Sequence, residues 1–157
     1  MGICDGSTGA DLLVEYSDDP SLVYNDVGHT WVDIKDVSGT LDVTGGDKAI
    51  TEKKTFGNPR VGLSQPGPLN VVLDVLFEND ANSFLEYLTD LYDGTVANPC
   101  FWLRWSYAAG ASGALRRTAK VAGSTNPFTG GNPDGTVVSK NMTFAVDDGV
   151  IYRDAVP

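Results

Sequence analysis

The chain has 157 residues, with 21 Asp plus Glu against 11 Lys plus Arg and a formal net charge of -10. That length supports one domain, 1–157, with a substantial hydrophobic core. The charge argues against ordinary nucleic-acid binding, which neutralises phosphates with basic surface. Glycine is concentrated between apolar runs, which points to strands joined by tight turns and not to a helical bundle. Cys4 and Cys100 are too few for a disulfide scaffold and lack metal-ligand spacing, so both read as reduced thiols. The opening Met1 to Gly6 lacks the charged and apolar blocks of a signal peptide, and no apolar run reaches the length of a membrane span. The expectation is a soluble protein made in the cytosol.

In chain order, Leu12 to Tyr16 reads as a first strand, broken by Asp18-Asp19-Pro20-Ser21. Trp31 to Ile34 leads into Val37 to Thr44, where Val37, Gly39, Leu41 and Val43 alternate with Ser38, Thr40, Asp42 and Thr44, the period of a half-buried strand. Lys48 to Arg60 is locally basic in an acidic chain and reads as a protruding hairpin or long loop, closed by the turn Gln65-Pro66-Gly67-Pro68. Leu69 to Glu78 is the strongest strand: Val71, Leu73, Val75 and Phe77 share one face, while Asp74 lies on a mixed apolar and acidic one. Such a strand suits a sheet with one face packed and one face wet.

Residues 80–93 are predicted to form the one helix, capped by Asn79 or Asp80, striped by Phe84, Leu88, Leu91 and Tyr92, and stopped by Gly94. Asp90 and Asp93 sit at the wrong end for the helix dipole, so the apolar stripe must hold this helix. Cys100 to Tyr107 and Leu115 to Val121 pair as a hairpin about a Gly110 to Gly113 tip, and Val137 to Val146 alternates again. Asp148-Gly149 is expected to turn the chain into a short last strand, Val150 to Tyr152.

Chemistry is sparse. His29 is the single histidine, which excludes multi-histidine metal sites and most histidine-based triads. No phosphate-binding loop, dinucleotide fingerprint or calcium loop is present. Adjacent aspartates such as Asp18-Asp19 and Asp147-Asp148 read as turn residues. Trp102 and Trp105, at strand spacing, point to opposite faces, which spoils a shared sugar-stacking platform and favours packing. Arg104, Arg116 and Arg117 are expected to contact acidic neighbours. No catalytic residue, cofactor or metal is assigned, and an enzyme is the least favoured reading.

The order of pieces carries a resemblance. The strand Val37 to Thr44 is followed by an extended charged segment, Asp47 to Gly57. Then come the strand Asn70 to Glu78, an immediate helix from Asn82, the aromatic run Cys100 to Ser106, a glycine-rich hairpin and the closing Thr143 to Val146. Over roughly residues 30–148 this resembles the tail tube (major tail) proteins of long-tailed, siphovirus-type bacteriophages; Met1 to Tyr24 carries none of it. The resemblance implies a mainly β fold, a β-sandwich or partly closed barrel with one helix packed against it. It also implies copies assembled into hexameric rings that stack into a hollow tube, a virion conduit for DNA ejection assembled in the host cytoplasm. Partners would be the chain itself and other tail proteins (tape measure, tail tip, terminator). DNA would pass without specific binding, and no membrane would be involved. On this reading Asp42 and Asp74 face the lumen, where acid repels phosphate. Lys48, Glu52, Lys53, Lys54 and Arg60 would form an inter-subunit loop reaching an adjacent copy. Two other readings stay open: an extracellular β-sandwich binding module of carbohydrate or adhesin type, and another tube component such as a tail terminator or type VI secretion tube protein.

Overall fold

A computed structural model of the chain describes residues 12–53, 56–57, 60–63 and 65–157. Nine strands and one α-helix are formed among the described residues: β1 (Leu13–Ser17), β2 (Val32–Asp33), β3 (Ser38–Gly45), β4 (Ile50–Lys53), β5 (Arg60–Leu63), β6 (Leu69–Leu76), α1 (Phe84–Asp93), β7 (Cys100–Ser106), β8 (Leu115–Gly123) and β9 (Ser139–Ala155). Seven of the strands form one sheet in the order β2-β1-β7-β8-β9-β6-β3, and β4 and β5 pair separately. All pairings are antiparallel.

The fold is mainly β, as the alternation requires. The sheet curls without closing. Asp33 of edge strand β2 and Ser38 of the opposite edge strand β3 are joined by a short 3-10 turn, Lys35–Val37. Five residue steps span at most roughly 17 Å, whereas seven flat strands would be roughly 29 Å across. The two edges are therefore drawn together at this end, but β2 and β3 do not pair.

One face of the curl holds the core. Val71, Leu73 and Val75 of β6, Phe101, Leu103 and Trp105 of β7, Ala119 and Val121 of β8, and Met142 and Phe144 of β9 are all buried. Each large side chain removed from water contributes about 1.5–3 kcal/mol. The helix closes this face with Phe84, Leu85 and Leu88, and Tyr16 stacks on Tyr87 with ring centroids 4.9 Å apart.

Local chemistry corrects three sequence expectations. The helix begins at Phe84 and not near residue 80, because Ser83 is its N-cap: the Ser83 Oγ accepts from the Glu86 amide at 3.3 Å. Asp80 instead makes a turn, its Oδ1 accepting from the Asn82 amide. Of the expected stripe, Phe84 and Leu88 are buried and Leu91 packs partly on the core, joined by buried Leu85, whereas Tyr92 is exposed. Phe77 lies past the end of β6 and is exposed. Gly94 stops the helix in the left-handed conformation, as expected.

The last strand is also one element where two were expected. β9 runs through Asp148-Gly149, both at positive φ. Ala119 of β8 pairs with Ile151 and Val121 with Val146, so residues 147–150 form a bulge between two stretches of one ladder. β8 is long enough to hold both stretches, which keeps the chain in the sheet.

Candidate functional site: an open strand face and a protruding arm

The second face of the sheet divides into two halves. Over β1, β7, β8 and the end of β9, it is covered by the segment 18–31. His29 pins that segment. Its Nδ1 lies 2.8 Å from the Ser17 Oγ and its Nε2 2.8 Å from the Val23 carbonyl oxygen. A carbonyl can only accept, so Nε2 carries a proton and donates to it, while Nδ1 and the serine hydroxyl share the second hydrogen bond. Trp31 lies under the Arg104 guanidinium, 3.8 Å from ring centroid to Cζ. Tyr24 stacks on Tyr152 at 4.3 Å. Trp102 is buried beside them, its Nε1 without a hydrogen-bond partner.

Two close ion pairs cross this covered half, beside a looser one between Lys120 and Asp147 at 3.6 Å. Arg104 holds Glu15 at 2.7 and 2.8 Å, and Arg116 holds Asp154 at 2.6 and 2.9 Å. Burial pulls the Arg104 guanidinium below its ordinary pKa, partly offset by Glu15. The hydrogen bond to Asp154 raises that of Arg116. The expected acidic contacts thus exist for Arg104 and Arg116. Among the described residues the Arg117 side chain bonds only to the Arg116 carbonyl. Trp102 and Trp105 lie on opposite faces and are both buried. Cys100 is a half-buried free thiol whose pKa burial pushes up; Cys4 lies outside the described residues. Among the described residues no group of His, Cys, Asp and Glu is arranged to hold a metal, and no helix is long and apolar enough to cross a membrane.

The other half of the second face is polar. Asp42 pairs in register with Val72, Val72 with Thr143, and Asp74 with Asn141. Since Val71, Leu73 and Val75 point into the core, these residues point away from it. Asp42 and Asp74 therefore share one face, as diagonal neighbours roughly 7–8 Å apart. Asp42 is exposed, its Oδ1 accepting from the Val43 amide at 2.8 Å. Asp74 is half-buried against Gly39, where any Cβ would stand 2.7 Å from its Oδ2. Among the described residues no cation lies within ion-pair distance of either.

The basic segment leaves from the edge of this half. β3 and β6 remain paired to Gly45 and Leu69. The pairing then continues outside the sheet, from the Gly46 amide to the Pro68 carbonyl at 2.9 Å and from the Gly67 amide to the Asp47 carbonyl at 3.1 Å. Beyond this, β4 pairs with β5 from Ile50 opposite Leu63 to Lys53 opposite Arg60. The segment is therefore a two-stranded arm, a hairpin extension of β3 and β6. Lys48 and Glu52 are exposed on it, as are Ile50 and, near its tip, Phe56; Lys54 lies outside the described residues.

No protein-family model matches the sequence, and no curated protein matches it. The fold, however, is shared over nearly the whole chain with components of phage-tail-like machines. A chain in the sheath/tube terminator structure of an extracellular contractile injection system, PVC, superposes with a TM-score of 0.62 at 11% identity, covering 98% of this chain and 100% of that one. The tube-terminating cap of the anti-feeding prophage gives 0.61 at 10% identity, over 99% and 95%. The PVC sheath-tube complex gives 0.57 at 13% identity, over 98% and 95%.

Proposed function

We propose that this chain is a structural tail component that assembles into stacked hexameric rings forming the hollow tube of a phage tail. It is not an enzyme. The observation that carries this reading is the one-sided pairing of β3: an edge strand, open along one side, that runs on into an arm held outside the sheet. An unpaired strand edge is a template for another chain, and a contact between unlike surfaces closes into rings when its rotation permits. Exposed Ile50 and Phe56 on the arm fit burial against a neighbour. The full-length likeness to parts of tube and sheath assemblies supports the same reading.

In the assembled tube the polar half-face would line the channel, with Asp42 and Asp74 repeated around it. Their negative charge would let DNA slide without adhering. Lys48, Glu52, Lys53, Lys54 and Arg60 on the arm would meet an acidic neighbouring copy. The remaining tail proteins would be the tape measure, tail tip and terminator. A second reading, that the chain is itself a tail terminator, is favoured by its likeness to a tube-terminating cap.

Electron microscopy of the purified protein separates the two. Extended tubes support the tube role; rings that seat only on the end of a tube made by another protein support the terminator role. Dispersed monomers at every concentration, with tail-tip partners present, would sink both. The channel assignment is tested by Asp42→Lys with Asp74→Lys: assembled particles should bind DNA in a salt-dependent way and eject it slowly. Unchanged ejection would remove the channel role of this face.

A further inference from the structure

The chain carries a second charged feature, apart from the arm and the polar half-face. Arg117 of β8 stands directly opposite Arg153 of β9. Like charges in register destabilise a sheet, and an acidic chain has carboxylates to spare. Arg104 and Arg116 each hold one; Arg117 and Arg153 hold none among the described residues. Both lie on the helix side of the sheet, Arg117 in register with Trp105 and each two residues along its strand from Ala119 or Ile151 on the same face, but at the end that the helix does not reach. Arg153 is exposed and Arg117 half-buried.

The opposite end shows the reverse imbalance. Leu91 and Tyr92, in the last turn of α1, border a cleft with Pro99, Gly123 and Met142. The C-terminal end of the helix therefore sits over the end of β8. Exposed Asp90 and Asp93 stand there, with no basic residue in the last turn. They oppose the helix dipole. Gly123 is six residues beyond Arg117 on β8, roughly 20 Å along the strand. Among the described residues, one end of the strands thus carries two cations without an ion-pair partner and the other two such anions.

We propose that Arg117 and Arg153 form a carboxylate-binding surface for a second copy of this chain, filled by Asp90 and Asp93 of that copy. The contact joins unlike ends, so it is head-to-tail and propagates from copy to copy. It rests on the reading of the chain as self-assembling, and supplies a partner surface separate from the arm.

The test is a charge swap followed by light scattering and electron microscopy. Arg117→Glu with Arg153→Glu should raise the protein concentration needed for assembly by roughly tenfold or more, because like charges then meet. Asp90→Arg with Asp93→Arg should do the same. Mixed in equal amounts, the two variants present complementary ends again, so assembly should return. That recovery also shows that each variant folds. Neutral Arg117→Gln with Arg153→Gln should weaken assembly and flatten its dependence on salt. If the wild type assembles and the Arg117→Glu, Arg153→Glu variant assembles equally well, this contact is overturned while self-assembly stands. If the mixture stays dispersed although both variants melt like the wild type, the contact is likewise overturned. A wild type that never assembles overturns both.

Discussion

At Gly45 a Cβ would stand 2.1 Å from the Pro68 carbonyl oxygen, on a residue already at φ +76°. Backbone cannot yield as a flexible side chain does. Gly45→Ala is expected to cost about 2–3 kcal/mol and to loosen the arm where it leaves the sheet. Urea unfolding would register the loss as a lower midpoint; an unchanged midpoint would refute it. The Glu15–Arg104 pair tests a different force. Both side chains are about six-sevenths out of water, at 14% and 15% exposure. Glu15→Gln leaves the guanidinium over Trp31 without its counter-charge, and should cost about 1–3 kcal/mol. A midpoint equal to the wild type's would mean that the stacking on Trp31 suffices alone.

Among elements, the helix offers two tests. Ser83→Ala removes the side-chain cap at the N-terminus and should cost about 1 kcal/mol, read as a lower melting temperature. The second test is alkaline. Burial lifts the hydroxyl pKa of Tyr16, and of Tyr87 further, above the ordinary tyrosine value of 10.0. Above that value the unfolded chain loses these protons first, so stability present at neutral pH declines as pH rises through the folded-state values. Melting temperatures should therefore fall as pH rises past about 10, and fall less in Tyr87→Phe. An identical slope in the variant would show that other groups govern alkaline unfolding.

Much of this level was legible in the sequence. Alternation located β3, β6 and the start of β9, and Gly94 located the helix end, because period and turn chemistry are local. What escaped depends on distant partners. The helix starts at Phe84 because Ser83 caps it, and Phe84, Leu85 and Leu88 hold that start against the core. Asp148-Gly149 became a bulge because β8 pairs on both sides of it. The cover of residues 18–31 depends on His29 meeting Ser17, Trp31 meeting Arg104 and Tyr24 meeting Tyr152, and no local pattern announces such meetings. The pairing of Asp42 and Asp74 on one face was implicit in their strands' alternation; the register of β3 against β6 joined them.

For the whole molecule, the arm is the part whose loss should separate folding from assembly. Deleting Ala49 to Thr55 removes β4 but touches no residue of the core. The domain should keep its melting temperature and lose its tubes; normal tubes would make the arm a passive loop. The bulge in β9 has a mechanical consequence for such a molecule. Tension on the arm enters the sheet along β6, whose ladder with β9 runs from Asn70–Ala145 to Leu76–Ser139 and is loaded in shear, many bonds at once. Beyond that ladder the path leads through residues 147–150, all exposed, where β9 takes five steps against two of β8. Three surplus residues are roughly 10 Å of slack. A pull on one end of the domain is first met there by compliance, as stored length is drawn straight, before either ladder must tear.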